Sequence, residues 1–329
     1  MIGKYVLKNS YALACPGQGI IRYGYLVPFE NFKPVIQPYL DVLDESLQEN
    51  FSHHLFNKDK NSITEQWILK TSNAQPAILF TTFIIHELIK HEYGVDLAQN
   101  SKYLLGHSLG EYTALLLSRI FDLSSILKIV RKRGQLMENI IEDNDYGMHA
   151  FTFDKKLFDQ VLQLAQDCNV LANINSPEQI VCSGISEEIN LFITKVANLN
   201  VKSVKLDVKI PFHNYRLKSI TEELEAYVNQ FAINDQQTPI ISNLTGLPSF
   251  DSKSTIQNTL NVNYQPVQWV KSINFFREQE IPAIVNMGPG YVLKSLNGKF
   301  NGFENVPIDG ANTFSRLEKS ILKSSEDTK

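Results

Sequence analysis

The pentapeptide Gly106-His107-Ser108-Leu109-Gly110 constrains the fold of this chain more than any other feature. It follows the apolar run 102–105 and precedes an apolar helical pattern over 111–118, so it joins a buried strand to a helix. A G-x-S-x-G sequence in this setting is typical of a nucleophile elbow, in which the serine occupies a strained strand-to-helix turn. The two glycines let the strand and the helix pass close to that turn. The segment therefore predicts an α/β protein in which Ser108 is a nucleophile and the next backbone N–H faces an oxyanion.

Composition excludes several classes of function. The chain has 329 residues, of which 43% are hydrophobic, so it can bury a large core and carry a smaller subdomain. A net charge of −4 creates no field that favours nucleic acid, and the longest apolar runs are far shorter than the roughly 20 residues of a membrane span. Cys15, Cys168 and Cys182 lack the spacing of a zinc site or a disulfide framework. We expect a soluble globular protein in a reducing compartment, with no metal, nucleic acid or membrane partner.

Strand and helix patterns divide the chain into two parts. A first strand is predicted over Tyr11–Cys15, and helical periodicity follows from Pro38, a suitable first helical residue, to Leu47. From residue 148 to 208 the order strand, helix, strand, strand, helix, strand predicts a ferredoxin-like unit. We therefore predict a large α/β-hydrolase-like body over residues 1–146 and 209–329, with an inserted ferredoxin-like (βαββαβ) subdomain over residues 147–208.

A serine hydroxyl needs a base within hydrogen-bond reach, and that base is usually histidine. Among the seven histidines, His213 is the best candidate because it lies where the chain returns from the insertion to the body that carries the elbow. The pattern alone also allows His213 to be a structural core residue. His107 is adjacent to Ser108, but consecutive side chains point in different directions, so we expect its ring to pack behind the turn.

Seven short motifs follow one another along most of the chain. They are Pro16-Gly17-Gln18-Gly19, Gly106-His107-Ser108-Leu109-Gly110-Glu111, Arg133-Gly134-Gln135-Leu136-Met137, Asn173-Ile174-Asn175-Ser176-Pro177, Pro211-Phe212-His213, Pro266-Val267-Gln268-Trp269 and Gly288-Pro289-Gly290. In this order they resemble the signatures of the malonyl-CoA:acyl carrier protein transacylases. Segments 103–111 and 210–214 are particularly similar to fungal mitochondrial members. The resemblance thus implies a mitochondrial matrix enzyme, and a cytoplasmic location is the alternative.

By position, the resemblance implies a role for each of five residues in catalysis. Ser108 is the nucleophile, His213 is its base, and the backbone N–H groups of Leu109 and Gln18 hold the oxyanion. Gln268 is implied to support His213 through its backbone carbonyl, in place of the aspartate of a triad; a glutamine packed at a strand end is the alternative. A dyad without an acid is chemically sufficient, because thiols leave more readily than amines.

The resemblance also implies the acyl group. Arg133 offers a fixed fork of donors that matches the free carboxylate of a malonyl group. Phe212 is similar to the ring that narrows the pocket of malonyl-selective members, although a core aromatic is the alternative. We assign Asn173 and His107 to the same substrate-binding set. The implied partners are malonyl-CoA and the phosphopantetheine thiol of an acyl carrier protein that serves fatty acid synthesis, with no cofactor.

Two other functions remain open at this stage. A serine esterase or thioesterase of the α/β-hydrolase type would use water as the acyl acceptor, but such enzymes place their histidine near the C-terminus, and here no histidine follows His213. A noncatalytic module that binds CoA or a carrier protein would be expected to have lost Ser108, His213 or Arg133. A docking patch for an acidic carrier protein is a further hypothesis, drawn from Lys128, Arg131, Lys132, Lys205, Lys209, Arg216 and Lys218.

Overall fold

A computed structural model describes residues 5–19, 22–59, 62–140 and 145–325. The strands are β1 (Tyr5–Leu7), β2 (Ala12–Cys15), β3 (Tyr103–Gly106), β4 (Tyr146–Thr152), β5 (Leu171–Ser176), β6 (Gln179–Ile185), β7 (Lys202–Leu206), β8 (Ile240–Ile241), β9 (Pro248–Ser249), β10 (Ala283–Met287), β11 (Glu304–Ile308) and β12 (Leu322–Ser324). The α-helices are α1 (Lys33–Leu47), α2 (Phe51–Phe56), α3 (Ser62–Leu69), α4 (Thr71–Tyr93), α5 (Leu109–Leu117), α6 (Leu123–Asn139), α7 (Phe158–Asp167), α8 (Ser186–Val196), α9 (Lys218–Val228), α10 (Ser252–Asn261), α11 (Trp269–Glu278), α12 (Val292–Asn297) and α13 (Ser315–Ser320).

The larger sheet has six strands in the order β11-β10-β2-β3-β8-β9. All neighbouring strands are parallel except β8 and β9, which pair antiparallel. Helices cover both faces of this sheet, and apolar side chains from its strands enter two separate clusters of buried residues. The predicted α/β class is therefore confirmed.

One edge of this sheet collects three of the motifs. Cys15 at the end of β2 lies opposite Gly106 at the end of β3, and β10 ends at Met287 beside them. Because these strands are parallel, the turns that follow them emerge on the same side. Segments 16–19, 106–110 and 288–290 thus meet at the carboxyl edge of the sheet.

Helix α1 begins earlier than the sequence predicts. Pro38 lies inside the helix, and Pro34 occupies its first turn. The N–H that Pro38 lacks would have bonded the carbonyl of Pro34, so the hydrogen-bond ladder is interrupted only near its start, where the cost is small. Over the described residues, none of the helices combines the length and hydrophobicity that a membrane crossing requires.

The smaller sheet is antiparallel, with the strand order β5-β6-β4-β7. Together with α7 and α8 it shows the predicted ferredoxin-like sequence of strands and helices. One face packs on those helices through residues such as Phe151 and Phe192, and the other face presents Met148 and Val181. The sheet is attached to the body where the backbone of Val267 bonds that of β5 at two distances of 2.9 Å.

Candidate active site

The turn between β3 and α5 has the geometry of a nucleophile elbow. Ser108 adopts φ 54° and ψ −110°, a conformation that L-residues rarely take. A Cβ on Gly106 would lie 1.8 Å from the carbonyl carbon of Gly110, and one on Gly110 would lie 2.1 Å from the oxygen of Cys15. Both contacts are impossible for a side chain, so the two glycines are required for strand β3, helix α5 and strand β2 to meet at the turn.

Ser108 and His213 are hydrogen-bonded to each other. The Nε2 atom of His213 lies 2.7 Å from the hydroxyl of Ser108, and its Nδ1 atom lies 2.7 Å from the carbonyl oxygen of Val262. Because a carbonyl can only accept, Nδ1 carries the ring proton and Nε2 accepts from the serine. Burial, aided by the positive charge of Arg133, lowers the pKa of His213 to about 3. The imidazole is therefore neutral and able to take a proton at physiological pH.

The expectation that the Gln268 carbonyl supports His213 is wrong. Gln268 stands at the start of α11, where its carbonyl accepts from the N–H of Ser272 at 3.1 Å and its own N–H bonds the carbonyl of Asn243 at 2.7 Å. The Gln268 carbonyl is thus used by the first turn of the helix, and the carbonyl that bonds His213 is that of Val262. A backbone carbonyl leaves no mark in a sequence, so no residue type points to Val262.

Asn243, which the sequence analysis missed, holds both sides of the elbow. Its side-chain oxygen accepts from the N–H of Ser108 at 2.8 Å, and its side-chain nitrogen donates to the carbonyl of Gly106 at 2.5 Å. Glu111 in turn accepts the backbone N–H of Asn243 at 2.9 Å. The amide replaces the ladder bonds that β3 loses where β8 ends at Ile241. Its position two residues after the end of a parallel strand was the available signal.

The predicted oxyanion site involves two backbone N–H groups, those of Leu109 and Gln18. Leu109 is the first residue of α5, so its N–H has no acceptor within the helix. Gln18 is at the centre of a three-residue turn that the N–H of Gly19 closes on the carbonyl of Gly17 at 2.9 Å. The side chain of Gln18 donates to the hydroxyl of Thr71 at 3.3 Å.

Arg133 is a buried cation, with 1% of its surface exposed. Its Nε atom donates to the side-chain oxygen of Asn263 at 2.9 Å, and its guanidinium carbon lies 5.0 Å from the centre of the Tyr112 ring. Among the described residues it forms no ion pair with an aspartate or glutamate. The carboxyl of Glu111 acts on the charge of Arg133, but burial raises the pKa of that carboxyl to about 8. At neutral pH, Arg133 therefore has no anionic partner among the described residues.

A cavity of about 330 Å³ brings most of the predicted residues together. The predicted residues that line it are Gln18, His107, Ser108, Arg133, Asn173, Phe212 and His213. Leu109 and Gln268 are not among the residues that line it. The lining residues that the sequence analysis missed are mainly apolar or amide side chains: Met148, Ala150, Asn175, Gln179, Val181, Leu206, Val208, Val292, Leu293 and Leu296.

His107 lines the cavity, so the expectation that its ring packs behind the turn is wrong; a short chain of amides holds the ring. Its Nε2 atom lies 2.9 Å from the side-chain oxygen of Asn175, whose nitrogen donates to Gln179 at 3.2 Å. Its ring also contacts Trp269, at 5.2 Å between ring centres. Burial lowers the pKa of His107, so the ring is a neutral polar group in the wall of the cavity.

The basic residues proposed as a docking patch fall into two sets. Three of them are neutralised by acidic partners, in the pairs Arg131–Glu49, Lys132–Glu223 and Arg216–Glu188. The other four have no ion pair among the described residues: Lys205, Lys209 and Lys218 are exposed, and Lys128 is partly buried. Of these, Lys205 and Lys209 lie beside Leu206 and Val208 of the cavity wall. The patch is thus smaller than the sequence predicts, because charge pairing depends on contacts between distant segments. Within the described ranges, no group of three His, Cys, Asp or Glu side chains could hold a metal ion.

Comparison with known proteins gives concordant matches. Residues 31–294 match the model of the acyl transferase domain family. A malonyl CoA-acyl carrier protein transacylase of Staphylococcus aureus (strain MSSA476) is 31% identical over 300 residues, which cover 89% of this chain and 93% of that protein. The crystal structure of a transacylase of the same name from Clostridium perfringens has a TM-score of 0.83 at 25% identity, covering 94% of this chain and 96% of that one. A malonyl-transacylase solved with a type II PKS acyl-carrier protein shares the fold, with a TM-score of 0.84 at 23% identity over 95% of this chain and 100% of that one.

Proposed function

The chain belongs to the malonyl CoA-acyl carrier protein transacylases of the acyl transferase family, and from this premise we propose that Ser108 carries the malonyl group between the two thiols. The observation that carries the proposal is one cavity that joins the Ser108–His213 pair to a buried arginine, which has no acidic partner in the part of the chain that the structure describes. The protein is an acyltransferase whose substrates are malonyl-CoA and an acyl carrier protein.

Arg133 supports malonyl as the acyl group. A buried charge that lacks a counter-ion is costly to maintain, and a substrate carboxylate would compensate the charge of this one. Its guanidinium can form two parallel bonds with that carboxylate, which a lysine could not. An acetyl group would leave the charge unpaired, so the same residue both attracts the malonyl group and discriminates against acyl groups without a carboxylate.

In the first half-reaction, the Nε2 atom of His213 takes the proton of the Ser108 hydroxyl as its oxygen attacks the thioester carbonyl. The N–H groups of Leu109 and Gln18 bind the oxyanion of the tetrahedral intermediate. The intermediate collapses with cleavage of the carbon–sulfur bond, and the protonated His213 returns its proton to the leaving sulfur of CoA. The carbonyl of Val262 holds the ring in the productive tautomer throughout and stabilises the imidazolium as it forms.

The second half-reaction is the reverse, with the phosphopantetheine thiol of the carrier protein as the nucleophile. His213 takes the thiol proton, sulfur attacks the ester carbon, and the proton returns to Ser108 as its bond to the malonyl group breaks. The apolar wall formed by Met148, Val181 and Phe212 supports the binding of a pantetheine arm, which is common to both substrates. We also propose that Phe212, which lines the cavity, narrows it against branched acyl groups.

The other two functions are less well supported. Family membership and the absence of a histidine beyond residue 213 disfavour a hydrolase of the esterase type. The bonded Ser108–His213 pair disfavours a noncatalytic binding module, because such a module has no use for an oriented base. Release to water therefore remains a side reaction of the acyl-enzyme, which a transferase must suppress.

We also propose that the protein acts in the mitochondrial matrix, on the similarity of segments 103–111 and 210–214 to fungal mitochondrial members; the cytoplasm is the alternative. Fluorescence microscopy of the full chain fused at its C-terminus to a fluorescent protein would distinguish the two. A diffuse cytoplasmic signal would contradict the mitochondrial assignment.

Intact-mass measurement tests the proposed reaction. After mixing with malonyl-CoA, the protein should gain one malonyl group on Ser108 and should lose it when a holo carrier protein is added. Ser108→Ala should gain none, whereas Ser118→Ala, a variant of a serine at the far end of α5, should label like the wild type. Labelling that persists in Ser108→Ala, or an acyl group released only to water, would refute the proposal.

A further inference from the structure

We propose that Asn263 is a specificity-determining positioning residue, which holds Arg133 through a neutral acceptor and so leaves the full guanidinium charge for the acyl carboxylate. The inference rests on the proposed function, because it concerns how the malonyl group is selected. Asn263 itself is fully buried and is not part of the cavity wall. It acts on the substrate only through Arg133.

The contacts of Asn263 determine how its amide is oriented. Its oxygen accepts from Nε of Arg133 at 2.9 Å, and its nitrogen donates to the hydroxyl of Tyr112 at 3.2 Å. If the amide were flipped, its NH2 group would face the Nε–H donor of Arg133, so only this orientation satisfies both contacts. Nε is thus occupied, and the guanidinium carbon lies 5.0 Å from the centre of the Tyr112 ring, whose side chain also interacts with the charge of Arg133. Arg133 lines the cavity, so we assign its remaining N–H groups to the substrate.

Asn263 gives Arg133 an uncharged acceptor, unlike the acceptors of the two basic residues before it on helix α6. The two residues before Arg133 both bond carboxylates: Arg131 lies 3.0 Å from Glu49, and Lys132 lies 2.6 Å from Glu223. A carboxylate in place of Asn263 would form a buried ion pair with Arg133 and would compete with the substrate for the same charge. An amide keeps the geometry of that contact without the charge.

Asn263 also links charge recognition to the catalytic base. It directly follows Val262, whose carbonyl bonds His213, and both residues belong to one 3-10 turn over Val262–Tyr264. This turn therefore holds the base with a backbone atom and the arginine with a side chain. A change of the Asn263 side chain should alter the second contact and leave the first in place, so acylation by an uncharged acyl group provides an internal control.

Asn263→Asp and Asn263→Leu separate charge from geometry. Asn263→Asp keeps an acceptor of the same shape but supplies a counter-ion, whereas Asn263→Leu removes the acceptor. Asn261→Ala is the matched control, because Asn261 contacts Tyr264 and Gln257 next to the same turn without reaching Arg133. The measurements are single-turnover rates of Ser108 acylation by malonyl-CoA and by acetyl-CoA, followed by intact mass, together with the Tm of each protein.

Both Asn263 variants should lower the malonyl-to-acetyl rate ratio by about tenfold or more, with the acetyl rate within about threefold of wild type. Asn263→Asp should do so without a fall in Tm, a combination that a merely structural role would not give. Asn261→Ala should leave the ratio unchanged.

If the Asn263 variants keep the ratio while Arg133→Met collapses it, the role of Asn263 is refuted and the proposed function stands. If Arg133→Met also keeps the ratio, the carboxylate contact of the proposed function is itself wrong. A parallel loss of both rates would likewise refute specific positioning by Asn263.

Discussion

Replacing Arg133 by methionine should make the enzyme less selective without making it less stable. Methionine is shorter than arginine, but its flexible apolar side chain fills a buried, irregular space well. The change removes a cation that is 1% exposed and has no anionic partner among the described residues. Burying such a charge is unfavourable, and apolar replacements of buried charges are often neutral or stabilising by about 1 to 4 kcal/mol. The Asn263 oxygen loses its donor, which costs roughly 1 to 3 kcal/mol. The free energy of unfolding should therefore stay near the wild-type value.

The effect on the substrate should be much larger. Removing one partner of a buried charge pair costs about 2 to 5 kcal/mol. At about 3 kcal/mol, and with 1.36 kcal/mol for each tenfold change, kcat/KM for malonyl-CoA should fall on the order of a hundredfold. Acetyl-CoA carries no carboxylate and loses nothing comparable, so its rate should be unchanged or higher. Arg133→Lys should recover only part of the loss, because it keeps the charge without the two-pronged geometry.

The assay is the acylation rate of Ser108 with each thioester, measured alongside urea unfolding of the free enzyme. The malonyl-to-acetyl rate ratio should be highest in the wild type, lower in Arg133→Lys and lowest in Arg133→Met. An unchanged ratio in Arg133→Met would remove this residue from substrate recognition. A loss of stability well above 3 kcal/mol would show that the buried charge is compensated in the free enzyme, which contradicts the electrostatic argument.

Three further predictions concern pH, a buried acid and the carrier protein. Since the pKa of His213 is lowered to about 3 and the neutral ring is the base, kcat/KM for malonyl-CoA should be level between about pH 5 and 8; an acid limb near pH 6.5 would contradict this. The pKa of Glu111 is raised to about 8, so folding takes up a proton between about pH 5 and 8. Over this range the wild type should lose stability relative to Glu111→Gln as the pH rises, by at most about 1.4 kcal/mol per pH unit. Equal pH profiles of urea unfolding for the two proteins would show that Glu111 is ionised. Replacing Lys205 and Lys209 by glutamate should raise the KM for the carrier protein, most strongly at low salt, and leave acylation by malonyl-CoA unchanged. The control Lys102→Glu, at the opposite edge of the sheet, should change neither the KM nor the acylation rate. Equal effects of the double variant on both half-reactions would indicate damage to the cavity.

Local patterns were sufficient for the main elements of this protein. The elbow was predictable because a strained turn between strand and helix demands glycine on either side of Ser108 at a fixed spacing, and the close contacts of Gly106 and Gly110 confirm that demand. The ferredoxin-like order was predictable because strands and helices differ in the period of their apolar residues. His213 could be proposed from its place at the return of the chain to the body. The start of α1 was misplaced because a proline inside the first turns costs little.

The tertiary structure alone decided how the site is held together. The supports of the site come from a backbone carbonyl at Val262 and from the amides of Asn243 and Asn263, which approach the elbow and Arg133 from remote segments. Every residue has a carbonyl, and asparagine serves equally in turns and caps, so neither carries a local signature of such a role. Likewise, whether a basic residue remains charged toward solvent or pairs with an acid depends on which distant carboxylate lies nearby, as at Arg131 and Lys132. The reacting groups can thus be identified from short motifs, while their orientation and electrostatic environment arise from contacts between segments far apart in the chain.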